Sequence, residues 1–330
     1  MNILVTGGLG VNGAWVTRQL REQGHKPVVY ENRWDTSLLP DLVGKVEIVL
    51  GDILDLATVI RTIKEHKVQC ICHLAALMPD QAEANPLMGF QVNALGTVNI
   101  LEAARIMGVE RVVYTSSKGA YSPFAGEYGY PAYKPVDEDY PKYPTHSVYG
   151  AGKVASELMA HRYHQKYGLD IIILRFVGIY APGKKARHGL IAIHSKMIEN
   201  AMLGRPTRIP RGGDEKDDVM YVKDVANSIV LACLVKDHKS LAFNIGTGRL
   251  YKLADFVEAI QKIYPEAVFE IGPGRDYQGR EGRATSTYCT LDITKAREEL
   301  GYRPQFGLEE GVRDYVDTMK FLGLEPVYAP

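Results

Sequence analysis

The first half of the chain alternates short apolar runs with longer stretches of mixed polarity. The runs are almost continuously hydrophobic and rich in β-branched residues, which is typical of parallel strands covered on both faces. We predict strands over 3–6, 27–31, 46–50, 70–74 and 112–116. Apolar residues three or four positions apart predict helices over 13–23, 56–66 and 93–107. This order predicts an α/β fold built on a Rossmann-type doubly wound parallel sheet.

The alternation weakens in the second half of the chain. We predict a helix from about 149 to 167, a strand over 170–176, a helix at about 190–203, a helix over 225–235 and a strand over 241–245. The segment 178–222 is otherwise predicted to be loop-rich. We expect a sheet domain formed by 1–177 and rejoined by 222–248, with a smaller C-terminal α/β substrate-binding lobe formed by 178–221 and 249–330.

Composition narrows the class of protein. The 330 residues are 46% hydrophobic and 24% charged, as in a soluble globular enzyme. The 39 Lys and Arg residues balance the 39 Asp and Glu residues, which argues against nucleic acid or a membrane surface as partner. Four scattered cysteines do not form a disulfide framework, and Cys70 and Cys72 are expected to pack in the core. With no signal peptide and no membrane span expected, we predict a cytoplasmic protein that acts on a small molecule.

A glycine-rich turn follows the first predicted strand and opens the first helix. Gly7, Gly10 and Gly13 have the spacing that allows a tight turn, a close approach to pyrophosphate and helix–strand packing. Glu31 lies 18 residues beyond Gly13, at the end of the second strand. A carboxylate there accepts hydrogen bonds from the adenosine ribose and repels a 2′-phosphate. The pattern predicts a dinucleotide site that favours NAD, although the nearby Arg33 leaves NADP open.

One tyrosine–lysine pair is a candidate acid–base centre. Four of the 20 tyrosines have a lysine four residues later, but only Tyr149 and Lys153 begin a predicted helix, where residues so spaced share a face. The lysine cation is expected to lower the phenol pKa from its reference of about 10. Tyr149 then serves as general base or acid at an alcohol or carbonyl. Ser116 and Ser117 end a strand at the edge where ligands bind, and the choice of Ser117 as donor to the reacting oxygen depends on the family resemblance given below.

These motifs together resemble the extended short-chain dehydrogenase/reductases, the NAD-dependent epimerase/dehydratase group. The matching segments run almost the length of the chain: Thr6 to Gly13, Gly51-Asp52, His73 to Ala76, Asn93 to Thr97, Ser116-Ser117, Tyr149 with Lys153, Leu174 to Phe176, Tyr221 to Val225, Asn244 to Gly246 and Leu300 to Pro304. The resemblance implies NAD as cofactor and a homodimer. It also implies Ser117, Tyr149 and Lys153 as catalytic residues.

The resemblance extends the set of expected site residues. Cofactor contacts are expected from Gly7, Gly10, Val11, Asn12, Gly13, Glu31, Asn32, Asp52, Ile53, Leu74, Ala75, Ala76, Asn93, Thr115, Tyr149, Lys153, Phe176 and Val177. Candidate substrate contacts are Met78, Ser117, Lys118, Gly178, Arg187, His188 and Arg275. No metal site is expected.

Departures from the family pattern bear on the substrate. Gly178 stands where sugar-nucleotide enzymes of the group usually have an Asn that reaches the substrate diphosphate. Asp217 stands where they usually have an Arg, and a carboxylate near a diphosphate is expected to repel it. Lys118 and Gly119 replace the Asp-Glu pair of the 4,6-dehydratases. Met78 replaces a polar or lysine side chain, so a less polar pocket is expected.

Three other features have both a functional and a structural interpretation. The basic segment 183–188, with Arg187 and His188, either clamps an anionic substrate or is a solvated loop. Arg275, Arg280 and Arg283 lie where the family often supplies a substrate arginine. A tyrosine cluster forms part of an active-site lid or a packed loop: Tyr121, Tyr128, Tyr130, Tyr133, Tyr140 and Tyr143.

The leading hypothesis is an NAD-dependent oxidoreductase acting on a secondary hydroxyl or carbonyl of a small polar substrate resembling a sugar, polyol or hydroxy acid. The alternative is a sugar-nucleotide (UDP-hexose) epimerase that retains its NAD. A non-catalytic nucleotide-binding regulator is a third class, and the intact Ser117, Tyr149 and Lys153 argue against it.

Overall fold

A seven-stranded parallel sheet forms the centre of the computed structural model, which describes residues 1–145, 147–188, 192–278 and 287–329. Its strand order is β10-β6-β5-β4-β1-β2-β3. The strands are β1 (Asn2–Thr6), β2 (Lys26–Glu31), β3 (Glu47–Leu50), β4 (Cys70–His73), β5 (Arg111–Ser117), β6 (Asp170–Phe176), β7 (Gly178–Tyr180), β8 (Thr207–Ile209), β9 (Val219–Tyr221), β10 (Ala242–Ile245) and β11 (Phe269–Ile271). The doubly wound sheet confirms the predicted fold class.

Helices cover both faces of the sheet and build the C-terminal lobe. They are α1 (Val11–Glu22), α2 (Leu56–Glu65), α3 (Pro79–Ala84), α4 (Pro86–Phe90), α5 (Gly96–Met107), α6 (Val148–Tyr167), α7 (Lys184–His188), α8 (Ile193–Met202), α9 (Val222–Leu234), α10 (Leu253–Gln261), α11 (Thr294–Glu299) and α12 (Leu308–Phe321). A π-helical turn, Gln91–Leu95, joins α4 to α5, where the sequence predicted an ordinary helix. No described helix is long and apolar enough to cross a bilayer.

Alternating residues of the strands fill two cores, one on each face of the sheet. Ile3 and Val5 face the core shared with α1, α9 and the C-terminal elements, whereas Leu4 faces the core shared with α2, α5 and α6. Cys70 and Cys72 are buried in the first core, and the Cys72 sulfur lies 3.1 Å from that of Cys233. The prediction that Cys70 and Cys72 pack in the core is confirmed.

The segment after residue 177 is more regular than the sequence predicted. It contains the short strands β7, β8 and β9 and the helix α7, besides α8. β7 pairs with β9 and β8 pairs with β11, each in a parallel two-stranded ribbon. Runs of three residues carry too little periodicity to be recognised, so the predicted loop was wrong here. β10 joins the edge of the large sheet beside β6, which supports our proposal that 222–248 return to the sheet domain.

Candidate active site

In the glycine-rich turn after β1, Gly7 and Gly13 lie so close to neighbouring backbone atoms that neither position has room for a side chain. Gly7 has a left-handed φ of +69°, and a Cβ there would lie 2.9 Å from the backbone nitrogen of Ala75. A Cβ on Gly13 would lie 2.1 Å from the carbonyl oxygen of Gly7. The hydroxyl of Thr6 accepts a 3.2 Å hydrogen bond from the Leu74 N–H, which joins the turn to the end of β4. Bare backbone and the N-terminus of α1 thus form a surface suited to pyrophosphate.

The acidic residue predicted to read the ribose ends β2. The Glu31 carboxylate accepts a 3.0 Å hydrogen bond from the backbone N–H of Asn32, and burial raises the pKa of Glu31. After β3, Asp52 is exposed and accepts a 2.9 Å hydrogen bond from the Leu54 N–H, while Ile53 is buried. The turn, β2 and β3 therefore place these side chains along the carboxyl edge of the sheet.

Asn93 has a positioning contact where a direct cofactor contact was predicted. Its side-chain oxygen accepts a 2.7 Å hydrogen bond from the Leu77 N–H, and its amide donates one of 2.9 Å to the Leu77 carbonyl. Asn93 does not line the cleft described below. Its amide is occupied by the backbone of the loop after β4, and so it holds that loop in place.

Ser117, Tyr149 and Lys153 meet at the carboxyl end of β5. The Lys153 ammonium donates a 2.7 Å hydrogen bond to the Thr115 carbonyl and lies 5.5 Å from the centre of the Tyr149 ring. The Ser117 hydroxyl accepts a 3.0 Å hydrogen bond from the Gly119 N–H and is hydrogen-bonded to Tyr149. This convergence brings together the three residues that the sequence singled out.

The predicted lowering of the tyrosine pKa does not occur in this structure. Burial raises the pKa of Tyr149 to about 12, and the hydrogen bond with Ser117 only partly opposes that shift. Burial also lowers the pKa of Lys153 to about 7, with the Glu157 carboxylate opposing it. The lysine is therefore only partly charged near neutral pH, because desolvation disfavours its ammonium form. The expectation from the sequence considered only the effect of the Lys153 cation on the Tyr149 phenol, and it left out the burial of both side chains.

A buried ion pair beneath the site anchors α6 to β6. Two nitrogens of the Arg175 guanidinium donate to the Glu157 carboxylate at 2.8 and 3.0 Å, and the Ser116 hydroxyl donates to it at 2.5 Å. Both charged side chains are only 1% exposed. Sequence reasoning noted Arg175 only as part of a family motif. The signals for the pair were an arginine inside an apolar strand and a glutamate one turn beyond Lys153.

A cleft of about 580 Å³ extends from the start of α1 past this trio. Twelve of the predicted site residues line it: Asn12, Leu74, Ala76, Met78, Thr115, Ser117, Lys118, Tyr149, Lys153, Phe176, Val177 and Gly178. Lining residues that the sequence did not single out include Lys184, His194, Gln278 and Thr287. Lys184 belonged to the recognised basic segment, but no pattern marked the others.

Asp217 lines the cleft but does not present the unbalanced negative charge predicted from the sequence. The Lys118 ammonium contacts its two carboxylate oxygens at 2.5 and 2.7 Å, and the Cys289 N–H donates to it at 3.1 Å. The pair is largely buried, with side-chain exposures of 14% and 4%. Lys118 therefore neutralises Asp217, although no cation remains at position 217 to bind a diphosphate. The two residues are 99 positions apart, so sequence spacing gave no sign of the pairing.

Arg187 lies at the glycine-rich turn and not in the substrate cleft. Its guanidinium donates to the Leu9 carbonyl at 2.9 Å, to the Asp35 carboxylate at 2.6 Å and to the Ser37 hydroxyl at 2.9 Å. The neighbouring His188 is half-buried and does not line the cleft either. The structure therefore places neither of these predicted substrate residues in the cleft, because α7 directs the arginine toward the loop after β2.

Arg275 and the tyrosine cluster are likewise outside the cleft lining. Arg275 lies 3.4 Å from the Glu215 carboxylate, and its guanidinium carbon lies 4.6 Å from the centre of the Tyr130 ring. Arg280 and Arg283 fall outside the described residues.

In the tyrosine cluster, the Tyr140 ring packs edge-on against the rings of Tyr121 and Tyr128, at centroid distances of 6.0 and 5.0 Å. These contacts favour the interpretation as a packed loop and not the interpretation as an active-site lid. Among the described residues, no group of three or more His, Cys, Asp or Glu side chains is arranged to hold a metal.

Known proteins resemble the chain over nearly its whole length. The profile of the NAD dependent epimerase/dehydratase family matches residues 3–246. A putative UDP-glucose 4-epimerase of Methanocaldococcus jannaschii is 33% identical over 96% of this chain and 98% of its own length. The UDP-glucose 4-epimerase of Mycolicibacterium smegmatis is 33% identical over 97% of this chain and 99% of its own.

Two solved structures superpose on the chain over 97% of its length. The UDP-glucose 4-epimerase of Thermotoga maritima, solved with UDP-glucose, superposes with a TM-score of 0.81 at 26% identity, covering 97% of this chain and 99% of that one. The UDP-glucose 4-epimerase of Thermus thermophilus, in complex with NAD, gives 0.81 at 28% identity with the same coverage.

Proposed function

Since the chain belongs to the NAD dependent epimerase/dehydratase family, we propose that it interconverts epimers of a sugar nucleotide, with NAD retained in its cleft. The observation that carries this proposal is the convergence of Ser117, Tyr149 and Lys153 on one wall of a cleft that begins at the glycine-rich turn. The two UDP-glucose 4-epimerase relatives, each 33% identical over nearly the whole chain, support this substrate class.

The residues at the sheet edge fit NAD. The turn can pack against the Ala75 backbone and against itself only because Gly7 and Gly13 carry no Cβ, and such a turn at a helix N-terminus is suited to pyrophosphate. Glu31 supplies the ribose acceptor that favours NAD over NADP. We propose these residues as the cofactor site: Gly7, Gly10, Val11, Asn12, Gly13, Glu31, Asn32, Asp52, Ile53, Leu74, Ala75, Ala76, Thr115, Tyr149, Lys153, Phe176 and Val177. When bound, NAD supplies a hydride acceptor that the side chains do not provide.

The three convergent side chains handle the proton. Ser117 donates a hydrogen bond to the oxygen of the reacting hydroxyl, and Tyr149 removes the hydroxyl proton. Lys153 is fixed to the Thr115 carbonyl, and its charged ammonium form stabilises the Tyr149 phenolate. If bound NAD accepted a hydride from the carbon as Tyr149 took the proton, and both returned with the hydride on the opposite face, the product would be the epimer with no net oxidation.

A second candidate is a net dehydrogenase of a small polar substrate without a nucleotide. Gly178 and Asp217 are the observation that favours it, since both line the cleft where family members usually offer an amide and a cation to a diphosphate. A Cβ on Gly178 would make only ordinary contacts, at 3.6 Å or more, so packing does not require glycine there. In this case Ser117, Tyr149 and Lys153 would act in a single oxidation of the substrate, and NADH would leave as a product.

An assay with two readouts separates the candidates. Protein as purified is incubated with UDP-glucose or UDP-galactose and the epimers are resolved by NMR; separately, NADH formation is followed with added NAD and a panel of polyols and hydroxy acids. We expect epimers without added NAD. Tyr149→Phe and Ser117→Ala should lower the rate by roughly 10²- to 10⁴-fold. Tyr167→Phe, on the same helix but outside the cleft lining, is the matched control.

NADH formation without epimers would favour the second candidate. Neither product from the wild type would count against both candidates and revive a non-catalytic role. Full activity of Tyr149→Phe would refute the acid–base role proposed for Tyr149.

We also propose a homodimer formed through α4 to α6. Leu87, Phe90, Leu95 and Leu158 are exposed apolar residues on these adjoining helices. A cytoplasmic location stays a prediction.

A further inference from the structure

The cleft contains a buried lysine that the proposed proton and hydride transfers do not use. Lys184 begins α7, just after β7, and its side chain lines the cleft together with Ile179 and His194. The residue is only 7% exposed. A lysine is rarely so buried unless it has a partner for its charge, so this position needs a physical explanation.

Within the described part of the chain, no carboxylate forms a salt bridge with Lys184. Its ammonium donates to the carbonyl oxygen of Ile179, which satisfies one of three N–H donors. Of the acidic residues lining the cleft, Asp217 is paired with Lys118, while Asp80 and Glu83 lie on α3. Burial lowers the pKa of Lys184 to about 8, so the side chain is still mostly charged at neutral pH. A buried charge without a counterion is costly, and a bound anion relieves that cost.

The neighbour of Lys184 is a neutral, firmly packed imidazole. The ring of His194 lies 4.4 Å from that of Phe256 and 5.6 Å from that of Tyr277. Burial, with smaller contributions from the ammonium groups of Lys184 and Lys118, lowers the pKa of His194 to about 3. His194 therefore contributes hydrogen-bonding capacity but no charge, and Lys184 is the unpaired cation of this part of the described cleft.

We propose that Lys184 binds the anionic group of the substrate, a phosphate or a carboxylate, beside His194. Lys184 thereby takes the place of the amide missing at Gly178 and of the cation missing at Asp217. The inference rests on the proposed function for the position of the reacting hydroxyl at Tyr149. It specifies the substrate class further: a molecule with a negative group away from its reacting carbon.

Binding of two anionic probes to the purified protein tests this assignment. Calorimetry measures Kd for UDP, which carries phosphates, and for D-glucuronate, which carries a carboxylate; glucose serves as a neutral reference. We expect Lys184→Met to weaken binding of at least one anionic probe by roughly 10- to 100-fold, as loss of a charge-assisted hydrogen bond does. Lys184→Arg should largely preserve that binding. Lys185→Met, the adjacent lysine outside the cleft lining, should not change it.

The probe that responds identifies the source of the negative charge. Equal affinities of wild type and Lys184→Met for both probes, or no binding of either probe to the wild type, overturns the assignment. Thermal unfolding of each variant confirms that it is folded. If Lys184→Met weakens probe binding but UDP-hexoses are not epimerised, the inference stands and the proposed function fails. If epimerisation occurs and its KM is unchanged in Lys184→Met, the function stands and the inference fails.

Discussion

The Lys153 ammonium donates a 2.7 Å hydrogen bond to the Thr115 carbonyl, two residues before Ser117. This bond connects α6, which carries Tyr149, to β5, which carries Ser117. It also gives the buried Lys153 ammonium a hydrogen-bond acceptor, since no carboxylate of the described residues contacts that ammonium. The geometry that brings the catalytic candidates together therefore depends on a lysine in an unfavourable environment, which has measurable consequences.

Lys153→Met should stabilise the protein while reducing its activity. Burial lowers the pKa of Lys153 from 10.5 to about 7, so the charged form is destabilised in the folded state. Below about pH 7 the lysine is charged in both the folded and the unfolded chain, and the wild type bears the full cost. We expect the free energy of unfolding of Lys153→Met to exceed that of the wild type there by roughly 2–4 kcal/mol. Urea denaturation at a series of pH values measures the difference.

The same experiment has a defined pH dependence. Between pH 7 and 10.5 the folded chain loses the Lys153 proton while the unfolded chain keeps it, so the advantage of Lys153→Met should shrink as pH rises. Above pH 10.5 the Lys153 side chain is neutral in both the folded and the unfolded chain, and the stability advantage of Lys153→Met should vanish. A constant difference across this range would contradict the assigned cause.

Glu157→Gln should strongly destabilise the fold. Its carboxylate pairs with the Arg175 guanidinium, and both side chains are 1% exposed, so removing the carboxylate charge leaves the buried guanidinium without its charged partner. We expect a loss of about 3–5 kcal/mol in the free energy of unfolding. Glu270→Gln, which breaks an exposed pair with Arg208, should cost less than about 1 kcal/mol. Similar losses in the two variants would show that burial does not determine the effect.

Glu31→Gln should weaken the preference for NAD over NADP. The carboxylate ends β2 where the adenosine ribose is expected, and its charge opposes a 2′-phosphate. We expect the ratio of the two Kd values, measured by titration of cofactor-stripped protein, to move toward NADP by about ten-fold. Glu47→Gln, on the neighbouring strand β3, is the charge-matched control. An unchanged ratio would remove Glu31 from cofactor selection.

Charges placed on the proposed dimer surface should produce monomers. Phe90 on α4 and Leu158 on α6 are 53% and 64% exposed, and burying a glutamate at either position of an apolar interface is costly. Sedimentation velocity should show a dimer for the wild type and a monomer for a Phe90→Glu/Leu158→Glu variant. Val268→Glu, at an exposed apolar residue of the C-terminal lobe, should stay dimeric. A monomeric wild type would refute the interface.

Much of the site is predictable because its elements are local. The turn from Gly7 to Gly13 directly joins a strand to a helix, and Tyr149 and Lys153 are one turn apart on one helix. Parallel strands bring their carboxyl ends to one edge, so topology placed Ser116 and Ser117 at the ligand-binding edge, and the family resemblance selected Ser117. Apart from that selection, these inferences need only backbone periodicity and the rules of strand order.

The amino-acid sequence by itself determined the doubly wound sheet and the glycine-rich turn, because both depend on neighbours within a few positions along the chain. The acid–base residues that it proposes depend also on the family resemblance. Only the tertiary structure decided which charges are paired. It set Lys118 against Asp217, turned Arg187 toward Leu9, and left Lys184 buried in the cleft. The electrostatics of the cleft depend on distance and desolvation between residues far apart in sequence, and neither quantity can be read from residue order.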